Sequence, residues 1–362
     1  MRILFLNQYF PPDQAPTGVL LREVADELVA AGHEVDFVAA RQDYRGGQQS
    51  GGRMRREFVA LLRMLFDGMR RSRADVIFSA SSPPCLLVAA MLLSLWHRAK
   101  SVHWAMDVYP EIAVSLGEVR DGLISRMIGR IMGWCYHRAA MVVALDADMA
   151  ERLAGYGVAA RVLRPWVFQS ILDTPMPGIA ACEPWTWLYS GNLGRAHEWE
   201  TLLLAQAKLE ARGVDVRLIF QGGGPSWPRA QERARELKLA RCEWHDYAPE
   251  DSLRESLLRA QCCIVSQRPE VRGLLWPSKL GLVLTLPRPI LFIGPTDGAI
   301  ARDLAHYPHA RTFAPGSTEE IGAWIERLRG EPMTVTMAEV FDARGHRAQS
   351  LRTWREWLEA LR

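Results

Sequence analysis

Apolar and polar positions follow two alternating rhythms along the chain. RILFLNQYF is a short apolar run of the kind that forms a buried strand, and after the turn-rich PPDQAPTG the stretch VLLREVADELVAAGHEV repeats apolar residues at helical spacing until Gly32 stops it. EVDFVAA reads as the next strand. ADVIFSAS, PCLLVAAMLLSLWHRA, KSVHWAMD, DGLISRMIGRIMGWCYHRA, AMVVAL and DADMAERLAGYG continue the alternation, which predicts a parallel sheet covered on both faces. RGGQQSGGR interrupts it as a small flexible loop.

VLRPWVFQSILDTPMPGIAACEP loses the periodicity, gathers prolines and reads as a linker. The alternation then restarts. WTWLYSG, DVRLIFQGGG, CEWHDY and QCCIVSQ read as strands, with EWETLLLAQAKLEARG, SWPRAQERARELKL and EDSLRESLLRA as the helices between them. WPSKLGLVLTL reads as a helix ending at Pro287, PILFIGP as a further strand, and SLRTWREWLEALR as an amphipathic helix able to pack back across the first domain. The expected architecture is α/β, with two Rossmann-like, doubly wound parallel sheets. Residues 1–165 make the first domain, 166–184 the linker, 185–338 the second domain and 339–362 the returning helix. Such sheets bind ligands beyond the carboxyl ends of their strands, so a cleft between the domains is where function is expected.

Composition supports this division. The chain has 362 residues, nearly half of them apolar, enough for two domain cores. Lysine and arginine (44) barely exceed aspartate and glutamate (41), so no general field for polyanions exists and nucleic acid is not expected as a partner. The six cysteines show no C-x-x-C pair and no neighbouring histidine cluster, which speaks against zinc and for a reduced, cytoplasmic compartment. No signal-peptide pattern opens the chain, and the run from Cys85 to Trp96 is too short to span a membrane, which takes about 20 residues.

The first strand-to-helix turn offers only Gly18, so G-x-G-x-x-G is absent and a nicotinamide or flavin has little support. SGNLGRAHE is more informative. Gly191 and Asn192 follow a strand, where glycine lets a backbone approach a ligand, and Arg195 and His197 bring cationic or donor groups beside it. A plain glycine turn with a solvated arginine is the alternative. Gly222 and Gly223 follow another strand and either line the same cleft or form a tight turn. Pro277 suits a first helical turn, placing Ser278 and Lys279 at the positive end of a helix dipole, an anion site. The alternative is a lysine reaching into solvent. Asp146 belongs to a D-x-D, which in some transferases holds a metal; here its place between a strand and a helix fits a helix N-cap better, and no metal site is expected.

NQYFPPDQAPTG, ELVAAGHEV, MDVYPEIAVSLG, VVALDADMAERL, LYSGNLGRAHEWETLL, PSKLG and RPILFIG, in this order, resemble the GT-B glycosyltransferases of family 4, and among them the bacterial colanic-acid and O-antigen type sugar transferases. The resemblance runs over nearly the whole chain. It implies metal-independent transfer, with retained anomeric configuration, of a sugar from a nucleotide diphosphate sugar, a UDP-sugar being favoured. The donor is then a substrate and no cofactor is needed. The C-terminal domain would hold the nucleotide and the N-terminal domain a glycan or polyprenyl-linked acceptor. Arg195, His197 and Lys279 would contact the pyrophosphate, and backbone amides around Thr17 and Gly18 would approach it from the other side. His103 and Asp107, in HWAMDVYPE, would lie within reach of sugar or acceptor; a buried histidine and a helix-capping aspartate are the alternative.

The chain also departs from the family. Leu282 falls about where a ribose-binding glutamate is expected, Glu270 and Ser278 do not restore the usual pair, and Asn192 and His197 replace the customary arginine and lysine of the glycine turn. A GT-B scaffold subunit that has lost catalysis, or a sugar-nucleotide epimerase, is the rival reading. Arg53 to Arg73 and Ile124 to Ala139 mix arginines with apolar faces, which suits peripheral contact with the inner face of the cell membrane or, equally, core helices with basic outer sides.

Overall fold

The computed structural model describes residues 1–11, 15–40, 53–176, 178 and 183–362; the expected loop up to Gly52 and Cys182 lie outside them. The chain divides into two compact units. One comprises Met1–Trp166, Gly273–Trp276 and Gly345–Arg362, the other Val167–Arg272 and Pro277–Arg344.

The first unit runs β1 (Arg2–Asn7), α1 (Pro16–Ala30), β2 (Glu34–Ala39), α2 (Arg53–Met69), β3 (Val76–Ser79), α3 (Leu86–His97), β4 (Lys100–Trp104), α4 (Glu111–Ser115), α5 (Leu123–Arg138), β5 (Met141–Ala144), α6 (Ala147–Ala154) and β6 (Arg161–Val162). All its strands pair in parallel, in the order β2-β1-β3-β4-β5-β6. Strands covered on both faces need apolar residues at successive positions, which is why β3 and β5 are buried throughout. On one face Leu4, Leu6 and Ile77 meet Met64 of α2 and Leu86 and Leu93 of α3. On the other, Phe5 stacks on Phe78 at 4.6 Å.

The second unit runs α7 (Gln169–Asp173), β7 (Trp185–Asn192), α8 (Glu200–Ala211), β8 (Val216–Gly223), α9 (Trp227–Glu236), β9 (Cys242–His245), α10 (Leu253–Arg259), β10 (Cys262–Ser266), α11 (Lys279–Val283), β11 (Ile290–Ile293), α12 (Ala299–Leu304), β12 (Ala310–Phe313) and α13 (Thr318–Gly330). Its sheet is also parallel, in the order β12-β11-β10-β7-β8-β9. Trp187, Tyr189, Phe220, Ile264 and Ile293 meet Leu203 of α8 and Ile325 of α13 in one core.

Two expectations are revised. The stretch read as a linker is partly packed: Ile171 and Leu172 of α7 cluster with Leu282 and Phe341, so the second unit begins at Val167. The helix expected to reach Pro287 is five residues long and ends at Val283. The final helix, α14 (Ala343–Glu359), lies inside the stretch 339–362 expected for it; its Trp354 packs on Phe78 and Trp104 at 4.9 and 5.0 Å, and Arg347 and Arg355 pair with Glu23 and Glu27 of α1. Among the described residues, no helix is long and apolar enough to cross a membrane.

Candidate functional site

In a doubly wound sheet the chain leaves in opposite directions from the two strands where the order reverses, and the gap between their carboxyl ends is open to a ligand. In the second unit those strands are β7 and β10. Tyr189, Ser190, Gly191 and Asn192 end β7 and Ser266 ends β10, so the glycine turn found in the sequence stands at the switch point.

The two glycine turns form one feature. Gly191 lies directly opposite Gly222 in the β7–β8 register, and Asn192 opposite Gly223. Gly191 has φ +123° and Gly222 φ +138°, values that disfavour any side chain, and a Cβ on Gly222 would collide with the Gly191 carbonyl oxygen. The turn is stitched by Leu193 N–H donating to Gly223 O at 2.6 Å and the Tyr189 hydroxyl donating to Asn192 O at 3.0 Å. The result is a stretch of bare backbone at the two facing glycines, Gly191 and Gly222.

Lys279 reaches this surface from α11. Its Nζ lies 3.5 Å from the centre of the Tyr189 ring and would be 3.5 Å from a Cβ on Gly191. The nitrogen is buried and has no hydrogen-bond partner. Burial without a counter-charge pushes its pKa well below the ordinary lysine value. Neither sequence reading anticipated this geometry. A five-residue helix contributes little dipole, and the lysine, far from reaching into solvent, is folded back over an aromatic face. An uncompensated buried cation is costly, and such groups concentrate at sites that receive an opposite charge.

His197 stands beside it. Its Nδ1–H donates to the Ser266 carbonyl at 2.8 Å, which leaves Nε2 with its lone pair, and burial together with the nearby Lys279 pushes its pKa down to about 3. An anion arriving here would raise the proton affinity of both groups. Arg195 is exposed and pairs with no carboxylate among the described residues; Asn192 and Ser278 are exposed too. Ser278 precedes α11 without capping it. Leu282 packs into the apolar cluster of Ile171 and Phe341, and Glu270 pairs with Arg268 at 3.4 Å.

Sequence reasoning missed Tyr189, the platform under Lys279, and Ser266, which sets the His197 tautomer. It also missed a pocket of about 390 Å³ beside the glycine turns, lined by Gln221, His245, Tyr247, Ser252 and Ser256. Tyr247 lies against Gly223, where a Cβ would come within 3.2 Å of its ring. An aromatic two residues past a strand end was the available signal.

The remaining candidates lie in the first unit. Thr17 and Gly18 occupy the first turn of α1, ahead of its first intrahelical bond from Val19 N–H to Ala15 O; a Cβ on Gly18 would come within 2.7 Å of the Tyr9 carbonyl. His103 has an interior place that does not fit substrate contact. Only 1% of it is exposed, Nδ1 is 2.9 Å from the Ser79 hydroxyl, Nε2 has no partner, and burial lowers its pKa to about 3. Asp107 lies just past β4, with its backbone bridged to Leu275, and burial pushes its carboxyl up to about 6. Asp146 caps α6, accepting from Met149 N–H at 2.8 Å.

Comparison with known proteins gives three kinds of likeness. Residues 17–167 match the profile described as Glycosyltransferase Family 4. The glycosyltransferase WbjE of Pseudomonas aeruginosa is 24% identical over 64% of this chain, which spans only 60% of WbjE; the colanic acid biosynthesis glycosyl transferase WcaI of Escherichia coli K12 is 22% identical, over 79% of this chain and 81% of its own. Among solved structures, Anabaena Alr3699/HepE in complex with UDP and glucose superposes with a TM-score of 0.67 at 15% identity, covering 99% of this chain and 98% of that one.

Proposed function

The chain carries a Glycosyltransferase Family 4 domain on a GT-B fold, and from that premise we propose that it is a retaining, metal-independent glycosyltransferase that moves a sugar from a UDP-sugar to a lipid-linked glycan during surface-polysaccharide assembly. The observation that carries this reading is the unpartnered Lys279 nitrogen held over Tyr189 beside the facing glycines Gly191 and Gly222. That arrangement suits a diphosphate. Its oxygens would lie on the turns of Gly191 and Gly222, within reach of the Lys279 ammonium and of His197 Nε2, while Arg195, Asn192 and Ser278 supply donors from the exposed rim. The pocket beside Tyr247 would take the nucleoside.

As the bond from the anomeric carbon to the diphosphate breaks, negative charge grows on the leaving oxygens. Groups already aimed at that charge lower the barrier because they need not reorganise when it forms. Lys279 supplies the cation in this scheme. His197, its Nδ1–H committed to Ser266, takes up a proton from solvent at Nε2 as the anion arrives and donates that N–H in a hydrogen bond to a phosphate oxygen. In the first unit, Asp107 is the acceptor-side group: a carboxyl with a pKa near 6 is ionised at neutral pH yet accepts a proton from a hydroxyl more readily than an ordinary aspartate. His103 is left out of the contacting set. HepE's complex with UDP and glucose supports the donor class, and the name of WcaI supports the biosynthetic setting. A lipid-linked acceptor would bring the protein to the inner membrane surface.

The test is release of nucleotide from a panel of UDP-, GDP- and ADP-sugars, with and without extracted lipid-linked acceptor, and NMR assignment of the product's anomeric configuration. Acceptor-dependent UDP release with retention is expected. Nucleotide binding without turnover would favour the scaffold reading, and an altered sugar nucleotide formed without acceptor would favour the epimerase.

A further inference from the structure

The helices on one face of the first sheet are apolar on two sides. α2, α3 and α5 lead to strands that step in the same direction across the sheet, so right-handed crossovers put all three on one face, and α3 packs between the other two. Their inner sides make the core described above. Their outer sides should be polar, and they are not: Phe58 and Phe66 of α2, Leu95 and Trp96 of α3, and Leu123 and Trp134 of α5 are between 52 and 86% exposed. On α5 Leu123, Met127, Ile131 and Trp134 form an exposed stripe at helical spacing, and on α2 Phe58, Leu62 and Phe66 form another. Single exposed apolar residues are ordinary, but two exposed apolar stripes on helices that both pack against α3 gather apolar surface of the kind that marks an interaction site.

The charges on the patch identify its occupant. Arg63 and Arg130 are exposed among the apolar stripes and have no carboxylate partner among the described residues, while Asp67 and Asp121 are paired with Arg70 and Arg126 at 3.7 Å and Glu57 of α2 is half-buried. A second copy of the chain docked through the same face would set arginines against arginines, which electrostatics disfavours. A bilayer carrying anionic headgroups matches both components: the arginines meet phosphate and the apolar side chains enter the acyl boundary, with Trp96 and Trp134 at the level where indoles partition. We propose that the outer face of α2, α3 and α5 is a docking surface for an anionic lipid bilayer. The inference names the surface for the membrane contact in the proposed function and rests on that reading for its purpose; its test reads lipid binding instead of turnover, so either can fail alone.

The full chain is floated with vesicles of pure phosphatidylcholine and of phosphatidylcholine with about one third phosphatidylglycerol, a composition chosen to carry a strong anionic surface potential. The wild type binds the anionic vesicles at least tenfold more tightly than the neutral ones, with a blue shift of tryptophan emission. The variant Phe66→Ser/Trp96→Ser/Trp134→Ser loses binding, and Arg63→Glu/Arg130→Glu loses the preference for anionic lipid, while both keep the wild-type circular dichroism and melting temperature. These are surface positions outside the donor site, and an unchanged unfolding transition certifies the fold. No vesicle binding by the wild type, equal binding to both compositions, or full binding by the triple-serine variant overturns the proposal. A dimer seen by sedimentation and abolished by the serine substitutions, without vesicle binding, overturns it in favour of a self-interface.

Discussion

The Lys279 nitrogen lies 3.5 Å from the centre of the Tyr189 ring and makes no hydrogen bond, so the free protein holds a buried lysine with an aromatic face as its closest compensation. A methionine of similar length keeps the packing and removes the charge. A buried ammonium without a counter-charge carries a desolvation cost that an apolar group of the same length does not. Lys279→Met is therefore expected to raise the melting temperature of the ligand-free protein by a few degrees while weakening nucleotide binding. Equal or lower thermal stability in calorimetry would mean that the ammonium is better solvated than its geometry indicates.

The paired glycine turns make a graded prediction. Gly222→Ala forces a Cβ into the Gly191 carbonyl at φ +138°, whereas Gly32, at φ +83°, has open space around its missing Cβ. Strain alone at Gly32→Ala is worth roughly 1 kcal/mol; Gly222→Ala adds a backbone displacement and should cost clearly more, together with most nucleotide binding. Urea denaturation of the two variants side by side decides the order. Comparable losses would show that the β7–β8 contact yields easily.

Diphosphate binding should draw protons into the protein. Lys279 and His197 both have proton affinities depressed by burial, His197 to about 3, and a bound anion reverses that by raising both. At pH 8 a terminal phosphate is already ionised, its second pKa lying near 6. Calorimetric titration of UDP in buffers of different ionisation enthalpy is expected to show net proton uptake, smaller in Lys279→Met. Proton release, or no buffer dependence, would contradict the assignment of the anion to these two groups.

His103 gives the fold an acid limit. Its pKa falls from 6.5 to about 3 on folding, so the unfolded chain binds the proton first; the stabilisation is complete above pH 6.5 and is lost as pH falls towards 3. Between pH 6.5 and 5 the loss is roughly 2 kcal/mol. Asp107, raised to about 6, works in the opposite direction over the window from 6 to 3.8 and offsets part of it. The pH 7 to pH 5 stability difference should shrink in His103→Asn. An unchanged difference would place the acid sensitivity elsewhere.

Both sheets were legible in the chain because strands buried on two faces carry apolar residues at successive positions, as Val76–Phe78 of β3 and all of β5 do, and because α1 and α8 repeat their buried residues at helical spacing. β6 and β12 were not: each is short and at a sheet edge, β6 exposed at both residues and β12 buried only at Ala310, so neither carries an apolar run. α13 was overlooked although Ile321, Trp324, Ile325 and Leu328 carried its period. At the site, the glycine turns, Lys279 and His197 were found from their places after strands and beside a proline. That Gly191 faces Gly222, and that Lys279 folds over Tyr189, depends on register and on contacts between residues ninety positions apart, about which local pattern carries no information. His103 was misplaced for a related reason. A strand-end histidine reads the same whether its ring enters the core or leaves it.

The most direct test is a calorimetric titration of UDP, GDP and ADP into the wild-type protein and into Lys279→Ala. One nucleotide, UDP by this account, should bind the wild type with micromolar affinity, and the alanine variant should lose one charge-assisted contact, about 1.5–3 kcal/mol or roughly 10- to 150-fold in Kd, without losing its fold. Equal affinity in the two proteins, or no nucleotide bound by either, would contradict the claim that the buried lysine over Tyr189 is a diphosphate anchor.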